Sequence, residues 1–211
     1  MNKQSKNYNE FKLSKNVTVG AVEEWITKFD EESKTKLIGF IRSRFEERYI
    51  SGISSLKGFG FLKMSVACYM IETLQCFKMG EEDSEGKSRC MFKCFFEEEE
   101  PFSQLKQHSD DFYFNVRCGI LHQSETSNAW RILCNGDLVD TKVYTINADK
   151  FIKALKESLD NYLKKLDSAN SKEDEVWKRL IKKLQSIIKN CIRSEGITKK
   201  KIKECACKPL P

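Results

Sequence analysis

Proline is scarce: three in 211 residues, with Pro209 and Pro211 at the C-terminal end. Pro101 is therefore the only proline in the body of the chain, which favours long helices over a many-turned β architecture. Long apolar runs are missing too. No stretch approaches the ~18 uninterrupted apolar residues of a membrane span, and the N-terminal MNKQSKNYNEFK has no apolar core for a signal peptide. The expectation is a soluble, cytoplasmic protein with no membrane partner. Histidine occurs only twice, at His108 and His122.

Cysteine is plentiful, but nine is an odd number, and Cys68, Cys76, Cys118 and Cys191 fall inside apolar helical stretches. They read as reduced core thiols rather than a disulfide framework. Cys90 and Cys94 stand four residues apart, yet no second pair nearby completes a four-ligand set, so they too read as core thiols. Cys205 and Cys207 alone are too little for a metal site. No metal and no cofactor is expected.

The net charge of +6 is unevenly placed. Residues 172–211 hold twelve Lys+Arg against five Asp+Glu, which leaves 25 against 26 for residues 1–171. The basic character belongs to the C-terminal segment, so whole-chain charge is weak evidence for nucleic-acid binding.

Four regions are expected: a polar, loose N-terminal arm (1–16), a helical domain (17–170), an added amphipathic helix (171–194) and a basic, disordered tail (195–211). Val19, Val22, Trp25, Ile26 and Phe29 recur at helical spacing, and Asp30 or Ser33 can cap the next helix, which runs to about Ile50. A break with Gly52, Gly58 and Gly60 follows. Residues 61–79, FLKMSVACYMIETLQCFKM, carry almost no charge and should form a central helix stopped by Gly80. RCMFKCFF (89–96) is a short helix ended by the acidic run 97–100 and Pro101. Asp110 or Asp111 can cap a helix carried to about Asn128. Residues 130–139 read as a β-hairpin turning on Asn135-Gly136, and 142–146 adds a short extended piece. Asn147 or Asp149 then caps a long helix. SANSKEDE (168–175) is a hinge. In the last helix Trp177, Leu180, Leu184 and Ile187 either complete the core or form a dimer seam.

The chemistry concentrates in residues 110–126, DDFYFNVRCGILHQSET, where Arg117 precedes His122 by five residues. On a regular helix that offset rotates two side chains by about 140°. They converge only if the helix loosens near Gly119 or if a second copy brings the partners into one cleft. An arginine and a histidine suit phosphodiester cleavage without a metal: the guanidinium binds phosphate through a bidentate fork and the imidazole moves a proton near neutral pH. On RNA the attacking 2′-hydroxyl is already in the substrate. The plainer alternative is that both side chains bond to carboxylates such as Glu125 or Glu72.

NVRCGILHQSET resembles the R-x4-6-H signature of the HEPN superfamily, small helical proteins of toxin–antitoxin and antiviral systems. The apolar helix at 61–79, the segment 130–139 with its Asn-Gly, and TINADKFIKALKESLDNYLKKL (145–166) extend the likeness to one bacterial branch, over about residues 20–167. The resemblance implies a mostly α, up-and-down helical bundle with a small β-hairpin before a long C-terminal helix. It also implies a homodimeric, metal-independent endoribonuclease of toxin or phage-defence type. Arg117 would hold the scissile phosphate, His122 would transfer the proton, and the product would end in a 2′,3′-cyclic phosphate. An antitoxin or other regulator would accompany it. Cys118 stands where active members commonly carry Asn or Asp, and Ser124 where members modified by a nucleotidyltransferase carry tyrosine. The alternative within the family is a non-catalytic module that binds RNA, nucleotide or a protein partner; outside it, a purely structural dimer.

Overall fold

Three of the helices start where a side chain satisfies their first amides. A computed structural model describes residues 8–193; the basic tail expected over 195–211 and residues 1–7 of the arm lie outside them. α1 (Val19–Lys28) begins on Thr18, whose hydroxyl accepts the Ala21 N–H at 3.3 Å. α2 (Glu31–Phe45) begins on Asp30, which accepts the Ser33 N–H at 2.8 Å. It continues through a π-helical turn, Glu46–Ile50, into α3 (Ser51–Ser54), so the break expected from Ser51 starts later. α4 (Gly60–Met79) stops at Gly80, whose left-handed φ of 68° lets its N–H reach the last carbonyls. α5 (Ser88–Glu98) leads into a 3-10 segment, Glu100–Leu105, that contains Pro101.

Three consecutive helical segments follow: α6 (Ser109–Phe112), a π-helical turn (Tyr113–Cys118) and α7 (Gly119–Gln123). Three short strands, β1 (Arg131–Leu133), β2 (Val139–Asp140) and β3 (Thr145–Asn147), precede α8 (Ala148–Ser168) and α9 (Glu175–Arg193). Asn147 caps α8 by accepting the Asp149 and Lys150 amides, both at 3.1 Å. The chain is thus mostly helical with a small three-stranded sheet.

α4 lies at the centre, packed on α5, α8 and α9. Met64, Ala67, Met70, Ile71, Leu74 and Phe77 are all buried along it. One end of the core is aromatic: Phe102 and Phe112 meet Phe151 at ring-centroid distances of 4.7 and 5.8 Å. α9 completes this core. Trp177, Leu180 and Leu184 are fully buried, and the Trp177 indole donates to the Ala169 carbonyl at 3.1 Å while meeting Phe29 edge-on. A dimer seam on these residues is therefore overturned, because their surface is already spent inside one chain. The arm is also less loose than its composition suggests. From Tyr8 on it is folded, with Leu13 buried and its carbonyl accepting the Arg44 and Arg48 guanidiniums at 2.9 and 3.1 Å.

The sheet corrects the expected hairpin. β3 is central, parallel to β1 and antiparallel to β2. β1 and β2 flank it without pairing across Asn135-Gly136, so the antiparallel turn is the one between β2 and β3. The stretch read as an accessory piece holds the buried Ile146 and takes the middle position. Cys90 and Cys94 are corrected too. Met91, Phe92, Phe95 and Phe96 take the inner face of α5, which leaves Cys90 exposed and Cys94 half-buried with their sulfurs 3.9 Å apart. Among the described residues no helix is long and apolar enough to cross a membrane.

Trp177→Ala should remove about 3–5 kcal/mol of stability, read from the urea midpoint, and leave the oligomeric state measured by sedimentation unchanged. A variant that keeps its stability but changes from dimer to monomer would restore the seam.

Candidate functional site

The helix over 109–123 is held by a polar clasp rather than by the expected caps. His108 precedes α6 with no side-chain cap bond. Asp110 instead makes a two-pronged pair with Arg89, at 2.7 Å to Nε and 2.5 Å to Nη2. Asp111 accepts the Asn115 amide at 2.5 Å through one oxygen and the Trp130 indole N–H at 3.0 Å through the other. Asn115 in turn accepts the Ser127 hydroxyl and the Asn128 amide on its side-chain oxygen, at 2.9 and 2.8 Å. Its main-chain carbonyl takes the Ser127 N–H at 2.9 Å. A π turn widens the ladder and leaves a carbonyl to an outside donor, and the returning loop supplies that donor.

The helix therefore ends at Gln123, with Ser124 left-handed at φ 55°, rather than near Asn128. Gly119 does not loosen the helix itself; the π turn ends just before it. A Cβ at Gly119 would stand 2.5 Å from the Glu125 carbonyl oxygen. Glycine is required there because the loop presses directly on the helix backbone.

Arg117 leaves the π turn toward α4. Its Nε donates to Glu72 at 2.9 Å, and the two side chains are 17% and 11% exposed. The Ser84 hydroxyl donates to the second Glu72 oxygen at 2.8 Å, and the guanidinium lies 5.5 Å over the Tyr113 ring. Burial works against the guanidinium charge, but the Glu72 carboxylate and its hydrogen bond outweigh it, so the net shift in pKa is upward. The thiol of Cys68, buried beside this pair, is pushed well above the usual range by desolvation.

Arg117 lines a polar cleft of about 360 Å³ shared with Glu72, Ser84, Ser88, Arg89 and Tyr113. Arg89 also lies 5.2 Å over the exposed Phe114 ring, and the Ser88 hydroxyl oxygen is buried with no hydrogen-bond partner among the described residues. Glu85 lines the cleft as well, so two guanidiniums, two serine hydroxyls and a phenol stand against two carboxylates. What the cleft offers an oxyanion is the guanidinium N–H groups that Glu72 and Asp110 leave free. Arg89 and Ser88 escaped the sequence reading. They open α5, and no local spacing ties them to a motif some thirty residues on.

His122 is not in this cleft. It is exposed, and among the described residues no hydrogen bond or ion pair joins it to Arg117. Of the two carboxylates considered as plain partners, Glu72 holds Arg117, whereas Glu125 accepts its neighbour's Thr126 N–H at 2.9 Å. Leu121, next to His122 in the chain, is exposed, as is Phe114 earlier on the motif helix, where Arg89 covers its ring, and Leu62 and Tyr69 are exposed on α4. Leu62 and Tyr69 are seven residues apart on the regular helix α4, which puts them on one face of it. Among the described residues no group of three or more His, Cys, Asp or Glu gathers as a metal-ligand set. No family model matches the chain, and no curated protein and no solved structure matches it.

Gly119→Ala gives a test by sign. In an open helix interior this change stabilises by roughly 0.5–1 kcal/mol; here the Glu125 carbonyl should reverse it to a loss of about 1–3 kcal/mol, read from the urea midpoint. A stabilised variant would mean that the loop does not close on the helix.

Proposed function

We propose that the chain is a HEPN-type endoribonuclease, acting as a cytoplasmic homodimer without a metal in a toxin or phage-defence setting under an antitoxin or other regulator. One observation carries the reading. Arg117 is anchored in a polar cleft, while His122 stands exposed on the same helix next to the exposed Leu121. Each protomer thus presents two parts of a phosphodiesterase, and a second copy is what would bring them together.

Glu72 fits the role of a positioning residue. It binds Arg117 through Nε, which leaves Nη1 and Nη2 to fork onto the scissile phosphate. The ribose 2′-oxygen attacks phosphorus as the bond to the 5′-oxygen breaks, and His122 serves the proton transfer. The products are a 2′,3′-cyclic phosphate and a 5′-hydroxyl, with no water consumed. The exposed Leu121, and Leu62 and Tyr69 on one face of α4, supply apolar contacts for the second copy. The Arg117–Glu72 ion pair also favours a second reading, in which the arginine is structural and the domain is a non-catalytic module that binds RNA, nucleotide or a protein partner.

Cleavage of a mixed RNA panel with chelator present separates the two. Arg117→Ala and His122→Ala should each lose about 10²–10⁴-fold in rate while staying folded, and the wild-type products should carry cyclic-phosphate ends. Cleavage that survives both substitutions would remove the site; a silent wild type whose RNA affinity falls on Arg117→Ala would favour the binding module.

Mixing the two inactive variants tests the composite arrangement. A site that joins Arg117 of one protomer to His122 of the other leaves one intact site in each heterodimer, so roughly a quarter of the activity should return. A site contained in one protomer returns none. Leu121→Glu should give a monomer by sedimentation and lose cleavage together with the dimer.

A further inference from the structure

A second cleft, on a different face of α4, is lined by four lysines against one carboxylate. Its volume is about 460 Å³, and it is formed where α3 ends, α4 begins and α8 passes. Ile50, Ile53 and Ile152 give it an apolar floor, and Lys57, Lys63, Lys153 and Lys156 line it with Asp149 as the one carboxylate. On α8, Asp149, Ile152, Lys153 and Lys156 follow helical spacing and share one face.

Lys63 is the unusual member. It is 5% exposed, and its ammonium meets only Asp149, whose own side chain is half in solvent. A buried ammonium requires an anion, and this one is held by a partner that water can reach. Among the described residues Lys57, Lys153 and Lys156 make no ion pair at all. α4 starts within the cleft's rim, between the lining residues Gly58 and Lys63, and no side chain caps its first turn. Its positive end therefore adds to the field of the four lysines.

We propose that this cleft is a ligand site for a phosphate monoester of nucleotide size. The four ammoniums against one carboxylate match a dianion better than the single charge of a phosphodiester. Lysines act as point charges that need no fixed fork. The isoleucine floor takes the uncharged body of the ligand, and the volume lies within the range of small-molecule sites. Asp149 holds the place of the phosphate: when the ligand arrives, its phosphate takes Lys63 and the Asp149 carboxylate swings to solvent. The proposal is independent of Arg117 and His122.

Calorimetric titration of the full chain with AMP, inorganic phosphate, adenosine and a short single-stranded RNA tests it. AMP should bind saturably and more tightly than phosphate, with adenosine silent. The Lys153→Glu/Lys156→Glu variant, altered only at exposed positions, should bind AMP at least tenfold more weakly. Asp149→Asn removes the competing charge and should tighten binding by roughly three- to tenfold, a change in the opposite direction to damage from misfolding. AMP binding that ignores the double variant, or that weakens in Asp149→Asn, overturns the proposal. So does adenosine binding as well as AMP, and so does RNA binding without AMP, which would make these lysines strand contacts instead.

Discussion

A helix buried on most sides forces every charge on it to find a partner within the protein, and α4 carries three such charges. Lys63, Glu72 and Lys78 sit along it with side chains about a tenth exposed or less, and each is paired from another part of the chain: Lys63 by Asp149 of α8, Glu72 by Arg117 of the motif helix, and Lys78 by both Glu98 and Glu99 at the end of α5. Breaking a buried pair by removing one partner costs several kcal/mol, so these pairs fix how the surrounding helices register on α4. Hydrophobic burial brings the helices together without specifying such a register. The three buried charges do specify it, and two of them also mark the places where clefts reach the core.

The motif helix shows how that register shapes chemistry. Arg117 has to reach Glu72 from a helix that is also clasped from the other side by the loop over 124–130. The π turn over Tyr113–Cys118 lies where the two contacts meet: it contains both Asn115, which the loop clasps, and Arg117. Its widened backbone leaves the Asn115 carbonyl to Ser127, and Gly119 lets the loop lie against the following turn. The result separates the two motif residues. Arg117 is drawn inward and held, and His122 is left outside beside Leu121. The five-residue offset thus wires one residue to the core and one to the surface, which on the proposed reading a symmetric pair of chains would bring together.

Much of the framework was legible because it rests on local signals. Asp30, Gly80 and Asn147 are caps whose chemistry needs only their neighbours, and the helical phase of α8 and α9 shows in their apolar spacing. Even the outward position of Cys90 and Cys94 follows from the phase of Met91, Phe92, Phe95 and Phe96, once those four are given the core. What was not legible is nonlocal. Asn-Gly signals a tight turn, but it cannot say that β3 will enter between the strands on either side of it. Asp110 and Asp111 look like caps because acids at a helix start usually are; Arg89 and Trp130, distant in sequence, claim them instead. Of the candidate site, the sequence could offer Arg117 and His122 and name Glu72 as a possible partner. It could not offer Arg89 and Ser88, which reach the cleft only through the packing of α5.

The two clefts differ in the kind of cation they present, and that difference bears on what each is suited to hold. In the first, each guanidinium is fixed by a carboxylate, Arg117 by Glu72 and Arg89 by Asp110, so most of its charge is already balanced. A balanced, oriented guanidinium contributes direction more than attraction. On the proposed reading it is suited to a singly charged phosphodiester that gains charge as it reacts, since the unused N–H groups strengthen with that charge. The second cleft presents lysines that are mostly unpaired and free to rotate, which attract strongly and orient weakly. Such a site suits a ligand that arrives fully charged and does not react. On the two proposed readings, the held arginines would mark a place for chemistry and the lysines a place for occupancy.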